Sequence, residues 1–254
     1  MVLAIDIGNT NIVIGVFDNS KIIFVERLNT NKSSTILEYA VSFKTVLEIY
    51  KIDPEKIEGS IISSVIPSVT PVVNEAIKKI INKNSVIVGS GIKTGLNIII
   101  DNPAQLGSDL VVGAVAGVAK YSLPLAVIDM GTATTISVID SKRNYIGGVI
   151  MPGVKVSLDS LISRTAQLPN ISLDAPAKVI GKNTIDCMKS GIIYGSAANI
   201  DGVLDRMENE IGQELTVVAT GGLAEVVIPY CRKKIILDNE LLLDGLMIIY
   251  NKNK

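Results

Sequence analysis

The sequence predicts an α/β chain assembled from two similar halves, and three observations carry that expectation. Ala4-Ile5-Asp6-Ile7-Gly8-Asn9-Thr10-Asn11 and Val127-Ile128-Asp129-Met130-Gly131-Thr132-Ala133-Thr134 share one construction: an apolar strand, an Asp, a Gly two residues later, then small hydroxyl or amide residues entering a second apolar strand. Each copy opens a run of three strand-like segments, and each run is followed by segments with helical spacing. Such a repeat places an Asp and a small-residue turn, open to phosphate, in both halves.

In the first half, residues 2–7, 11–17 and 21–28 are rich in Val, Ile and Phe and are parted by Gly-Asn-Thr and Asp18-Asn19-Ser20 turns, so they read as an antiparallel meander. Residues 35–50 carry apolar side chains at helical spacing (Ile36, Leu37, Tyr39, Ala40, Phe43, Val46, Leu47), with Ser33 or Ser34 as the expected N-cap. A strand over 59–65, a helix over 71–82 and a strand over 85–88 follow. The apolar run 110–119 ends at Lys120, too short to span a bilayer, and reads as a buried helix.

Residues 125–129, 134–140 and 144–150 form the second meander, joined by Asp140-Ser141-Lys142-Arg143-Asn144. A helix from about Gly191 to Gly212, a strand over 216–219, a helix after Gly222 and a closing helix over 241–250 complete the half. The expected domains are 1–118 and 119–254, facing each other across a nucleotide cleft.

Composition removes whole mechanisms. The chain of 254 residues is 48% hydrophobic and 19% charged, which describes a globular protein with a large core. A net charge of -1, without a basic run, argues against nucleic acid as the main partner. There is no His, so Ser-His and Cys-His catalysis and His-based zinc sites are excluded, and a general base has to be another residue type. Cys187 and Cys231 fit no metal-ligand spacing and read as reduced thiols. The N-terminus enters a strand directly with no export signal, so the expected location is cytoplasmic, without a membrane partner.

Chemistry is expected at the two turns. Backbone N–H groups of a Gly-containing turn can hold phosphate oxygens, and an Asp at the strand end can position a hydrated cation. A single Asp-x-Gly-x-Thr would more often be an ordinary turn; duplication at equivalent points favours the functional reading. Val217-Val218-Ala219-Thr220-Gly221-Gly222-Leu223 adds a buried strand ending in a Gly pair, where backbone can approach a base or ribose. Taken alone, Ser108-Asp109 ahead of the 110–119 run would read as a helix cap.

Together these pieces resemble the superfamily of actin, hexokinase and the heat-shock chaperone ATPases. They match its phosphate 1 motif at Asp6 to Asn11, phosphate 2 at Asp129 to Thr135 and adenosine motif at Thr220-Gly221-Gly222. A duplicated actin-like (ribonuclease H-like) fold is thereby implied. The chain is more narrowly similar to type III pantothenate kinases. Asn102-Pro103, Gly107-Ser108-Asp109, Gly147-Gly148, Pro152-Gly153, Thr165-Ala166-Gln167-Leu168-Pro169, Gly181-Lys182-Asn183-Thr184, Gly191-Ile192-Ile193-Tyr194-Gly195 and Leu243-Asp244-Gly245-Leu246 carry this likeness, in family order from Met1 to about Tyr250.

What the resemblance implies is ATP-dependent phosphorylation of pantothenate to 4'-phosphopantothenate, the first step of coenzyme A biosynthesis, by a homodimer. Asp109 matches the general base. ATP is assigned to Asp6, Ile7, Gly8, Asn9, Thr10, Asn11, Ile12, Val13, Thr132, Thr220, Gly221 and Gly222, and the acceptor to Gly107, Ser108, Asp109, Leu110 and Thr184. Asp6 matches the residue that organises Mg²⁺-ATP through water, Asp129 the ligand of a monovalent cation (K⁺ or NH₄⁺), and Thr184 a substrate contact near the dimer interface. Two positions depart from the pattern: Leu110 stands where Arg usually follows the base, and Ile100 where a Tyr usually precedes Asn-Pro. Both changes take polar groups from the acceptor site and leave the phosphate machinery intact. A kinase of another alcohol and a non-catalytic nucleotide-binding regulator therefore remain as alternatives.

Overall fold

The computed structural model describes residues 1–19 and 21–254, so Ser20 of the first expected turn lies outside it. Two compact units make up the chain: Met1–Leu96 with Asp101–Ala116 and Glu240–Lys254, and Asn97–Ile100 with Gly117–Asn239.

In the first unit, β1 (Val2–Ile7), β2 (Asn11–Asp18) and β3 (Lys21–Asn29) form the expected meander, and β4 (Gly59–Ser64) and β5 (Val86–Ile87) extend it on the other side of β1. The sheet order is β3-β2-β1-β4-β5, antiparallel through β1 and parallel from β1 to β5. Every residue of β1 is buried, as a central strand covered on both faces requires. The helices α1 (Ile36–Ile49) and α2 (Thr70–Ile81) contribute Phe43, Leu47, Val73 and Ile77 to the core formed with Leu3, Ile5, Ile12 and Ile62.

The second unit repeats the plan. Here β7 (Leu125–Met130), β8 (Ala133–Ile139) and β9 (Asn144–Pro152) are the meander, while β10 (Thr216–Thr220) and β11 (Ile236–Leu237) continue it in parallel from β7. The order β11-β10-β7-β8-β9 reproduces β5-β4-β1-β2-β3, and β6 (Asn97–Ile98) adds an outer strand beside β9. Its helices are α4 (Val154–Ser163), α5 (Thr184–Ile211) and the short α6 (Ala224–Val227). Ile128, Ile136, Ile193 and Leu204 lie in this unit's core.

The remaining helices are α3 (Ser108–Lys120) and α7 (Leu241–Asn253). The chain passes between units within α3, and α7 returns to the first unit and packs against β1 and β4. Two local differences from expectation have physical causes. The N-cap of α1 is Thr35 rather than Ser33 or Ser34, because only Thr35 forms a reciprocal capping box with Glu38: Thr35 N–H donates to Glu38 Oε2 (2.6 Å) and Glu38 N–H to Thr35 Oγ1 (3.3 Å). Helix α5 starts seven residues before the expected Gly191, since Asn183 caps it by accepting from Asp186 N–H (2.9 Å) over a first turn that is mostly exposed and shows no apolar periodicity. Helix α4 was not expected at all. Among the described residues, no helix is long and apolar enough to cross a membrane, and both cysteines are free thiols.

Candidate functional site

The first unit holds the first Asp-bearing turn. Asp6 is the penultimate residue of β1, opposite Val13 of β2 and beside Ser63 of β4, and is 8% exposed. The following loop closes tightly, with Gly8 N–H donating to Asn11 O (2.9 Å). Thr30, after β3, holds it from outside: its hydroxyl donates to Gly8 O (2.7 Å) and its N–H to Thr10 O (2.9 Å). Thr30 is a supporting residue that no sequence pattern signalled, because nothing local marks a lone Thr after a strand. Asn9, Thr10 and Asn11 are exposed at the tip, whereas Ile7 and Ile12 anchor the hairpin in the core and Val13 is half-buried.

Asp109 belongs to the same unit, in the first turn of α3. Ser108 joins that turn to the end of β4: its hydroxyl donates to Ser64 O (2.8 Å) and accepts from Ser64 N–H (3.0 Å) and Ser63 Oγ (3.1 Å). Because Ser63 and Ser64 pair with Asp6 and Ile7, the acceptor segment and the first turn are anchored to neighbouring strands of one sheet. The Asp109 carboxyl folds back over the helix start, and its Oδ1 accepts from Leu110 N–H (2.8 Å). It does not cap a later N–H of α3 among the bonds observed, so the plain-cap reading describes it poorly. Burial pushes its pKa up, while the N–H groups of Leu110 and of Asp109 itself pull it down. A helix N-terminus favours a carboxylate by roughly 0.3–1 kcal/mol. Burial nevertheless prevails here, leaving a carboxyl more basic than an ordinary Asp.

The second unit holds the other turn together with the Gly pair. Asp129 lies in β7 opposite Thr135 of β8 and beside Thr220 of β10. The turn is closed by Gly131 N–H donating to Ala133 O (3.0 Å), and it meets two other segments. Gly153, the N-cap of α4, donates to Thr132 O (3.1 Å), and Leu223 N–H donates to Met130 O (3.3 Å). Gly221 has φ +98°, and a Cβ there would stand 2.6 Å from both Asp129 Oδ1 and Met130 N. Only glycine meets both demands, which explains one member of the Gly pair. Thr220 is buried, Gly221 half-buried, and Gly222 and Thr132 exposed.

Thr184 lies elsewhere in this unit, as the first residue of α5. It lines a cavity of about 740 Å³ with Leu161, Leu168, Lys182, Cys187 and Met188. Thus Asp6 to Val13 and Gly107 to Leu110 lie in the first unit, the latter tied through Ser108 to the strand beside β1, while Asp129, Thr132 and Thr220 to Gly222 converge in the second. The start of α4 at the second turn was missed, although Pro152-Gly153 is the breaker signal from which it begins.

A duplicated sheet of an antiparallel meander continued by parallel strands, with an Asp-bearing turn after the first strand of each copy, defines the actin-like fold class. Solved structures share this fold. A Campylobacter jejuni protein described as a Baf family transcriptional activator is 22% identical with a TM-score of 0.61, covering 99% of this chain and 98% of that one. The polyphosphate/ATP-glucomannokinase of Arthrobacter sp. strain KM is 15% identical with a TM-score of 0.51, covering 99% of both chains. The family model of type III pantothenate kinase matches residues 2–206. Type III pantothenate kinases of Exiguobacterium sp. strain AT1b and Halalkalibacterium halodurans are 44% and 42% identical, covering 100% of this chain and of the relatives. The chain belongs to the type III pantothenate kinase family.

Proposed function

We propose that this enzyme transfers the γ-phosphoryl group of ATP to the hydroxyl of pantothenate, yielding 4'-phosphopantothenate and ADP in the first step of coenzyme A biosynthesis, with Asp109 as base. The observation that carries the residue assignment is the half-buried, unusually basic Asp109 carboxyl, anchored through Ser108 to the strand beside Asp6. As the acceptor oxygen bonds to phosphorus and the bond to ADP breaks, the Asp109 carboxylate takes the hydroxyl proton. Phosphoryl transfer has a loose transition state, so the proton moves late and a carboxylate suffices without histidine.

The Gly8 to Val13 backbone follows the phosphates, Thr132 is an ATP contact, and Thr220-Gly221-Gly222 is the adenosine motif. Asp6, a nearly buried carboxylate at the end of β1 where the first turn begins, suits Mg²⁺ held through water. A site of one carboxylate, waters and substrate phosphates is the arrangement Mg²⁺ favours. When bound, the ion neutralises charge developing on the phosphoryl oxygens. Asp129 suits a monovalent cation, because the directly opposite Thr135 has a buried hydroxyl with no hydrogen-bond partner, an oxygen ready to coordinate. Gly107, Asp109 and Leu110, with Thr184, contact the acceptor. A homodimer with Thr184 near its interface, working in the cytoplasm, belongs to the same reading.

Leu110 and Ile100 favour a second reading of specificity, in which the same machinery serves a less polar alcohol. Loss of a buried Arg contact to a polar acceptor costs roughly 2–5 kcal/mol. The deciding experiment incubates the protein with Mg²⁺-ATP, K⁺ and a panel of alcohols headed by pantothenate, following ADP release and product mass. Formation of 4'-phosphopantothenate supports the first reading; product from another alcohol alone supports the second. Turnover of neither, with ATP still bound, excludes both.

A further inference from the structure

We infer that Ser108 is a positioning residue for Asp109 rather than a ligand of the acceptor, an inference that rests on the base assignment above. Its hydroxyl has one hydrogen to give and two lone pairs to share. All are engaged inside the protein: the hydrogen with Ser64 O (2.8 Å), the lone pairs with Ser64 N–H (3.0 Å) and Ser63 Oγ (3.1 Å). An acceptor alcohol would have to displace one of these bonds to reach it.

The network extends past Ser108. Ser64 Oγ accepts from Ile66 N–H (3.1 Å) and from Thr70 Oγ1 (2.7 Å), which fixes the start of α2 to the same strand end. Ser63 is fully buried and pairs in register with Asp6. A short chain of hydroxyls and backbone groups thus links the cation-organising strand, through β4, to the residue preceding the base. The strand that carries these links, β4, is buried along its length up to Ser64. The Asp109 carboxyl makes only local bonds among those observed, to the N–H groups of Leu110 and of Asp109 itself, so the placement of its backbone by Ser108 sets where the carboxyl lies.

The test compares Ser108→Ala, Ser108→Thr and Ser63→Ala with Asp109→Asn, measuring kcat, the KM of each substrate and the acid limb of the rate profile. Misplacement of a catalytic group by about 1 Å can cost on the order of 100-fold. Ser108→Ala is therefore expected to lower kcat about ten- to a hundred-fold with the KM for ATP unchanged. Its acid limb should fall toward that of an ordinary carboxylate as water reaches the loosened carboxyl. Ser108→Thr, which keeps the hydroxyl, should restore most of kcat, and Ser63→Ala, which removes one of the three bonds, should lie between. An unchanged kcat in Ser108→Ala, a rise confined to the acceptor KM, or a Thr variant as slow as the Ala variant would each overturn the inference. The base assignment is judged separately: substantial turnover by Asp109→Asn removes it whatever Ser108→Ala does. Loss of turnover in Asp109→Asn beside a normal Ser108→Ala removes the positioning role alone. Should Ser108→Ala fail to fold, Ser63→Ala and Ser108→Thr carry the same comparison.

Discussion

Burial holds the Asp109 carboxyl at a cost to stability. Its folded pKa lies above its unfolded value, so between the two the native state binds more protons, and stability falls as pH rises through that window. Near neutral pH the ionised, desolvated carboxylate is a net burden on the fold. Asp109→Asn should therefore melt no lower than the wild type at neutral pH, with the two converging in acid, while turnover drops roughly 10²–10⁴-fold as for a lost general base. The wild-type acid limb should lie above the ordinary carboxylate range; a limb at the usual Asp value would contradict the burial. Gly107 provides a second test. A Cβ there would run into Asp109 Oδ1, the movable end of a side chain, so Gly107→Ala should shift the carboxyl rather than break the fold. We expect turnover to fall about ten-fold or more, with a stability loss no larger than the ~1 kcal/mol of a changed helix cap.

Among the elements, those with strong periodicity or continuous apolar runs were readable: both meanders, α1, α2 and β10 form where the pattern places them. Those decided by a single cap or by neighbours were not. Helix α5 begins at a polar first turn, and α4 follows a strand end whose Gly153 is tied to the second turn. The two-residue strands β6 and β11 exist only because β9 and β10 offer them edges. The cap of α1 lends itself to measurement, for Thr35 is far in sequence from every proposed ligand. Thr35→Ala removes an accepting oxygen from the capping box and should cost about 1 kcal/mol, read as a lower denaturation midpoint with kcat unchanged.

For the whole molecule, ligand binding and stability are linked. A ligand that binds only the folded state stabilises it by about 2.7 kcal/mol at a hundred times its Kd. Mg²⁺-ATP should accordingly raise the melting temperature of the wild type and of Asp109→Asn alike, but that of Asp6→Asn much less. An equal rise in Asp6→Asn would remove Asp6 from the nucleotide site. The sequence by itself determined the α/β class, the duplication, both Asp-bearing turns and the exclusion of histidine chemistry, because these are written in local composition, period and spacing. Only the tertiary structure decided that α7 returns to the first unit, that Thr30 holds the first turn, that Gly221 lies against Asp129, and that Ser108 spends its hydroxyl on β4. Those contacts join residues distant in the chain, and their energies depend on a shared burial and geometry that no local window of sequence contains.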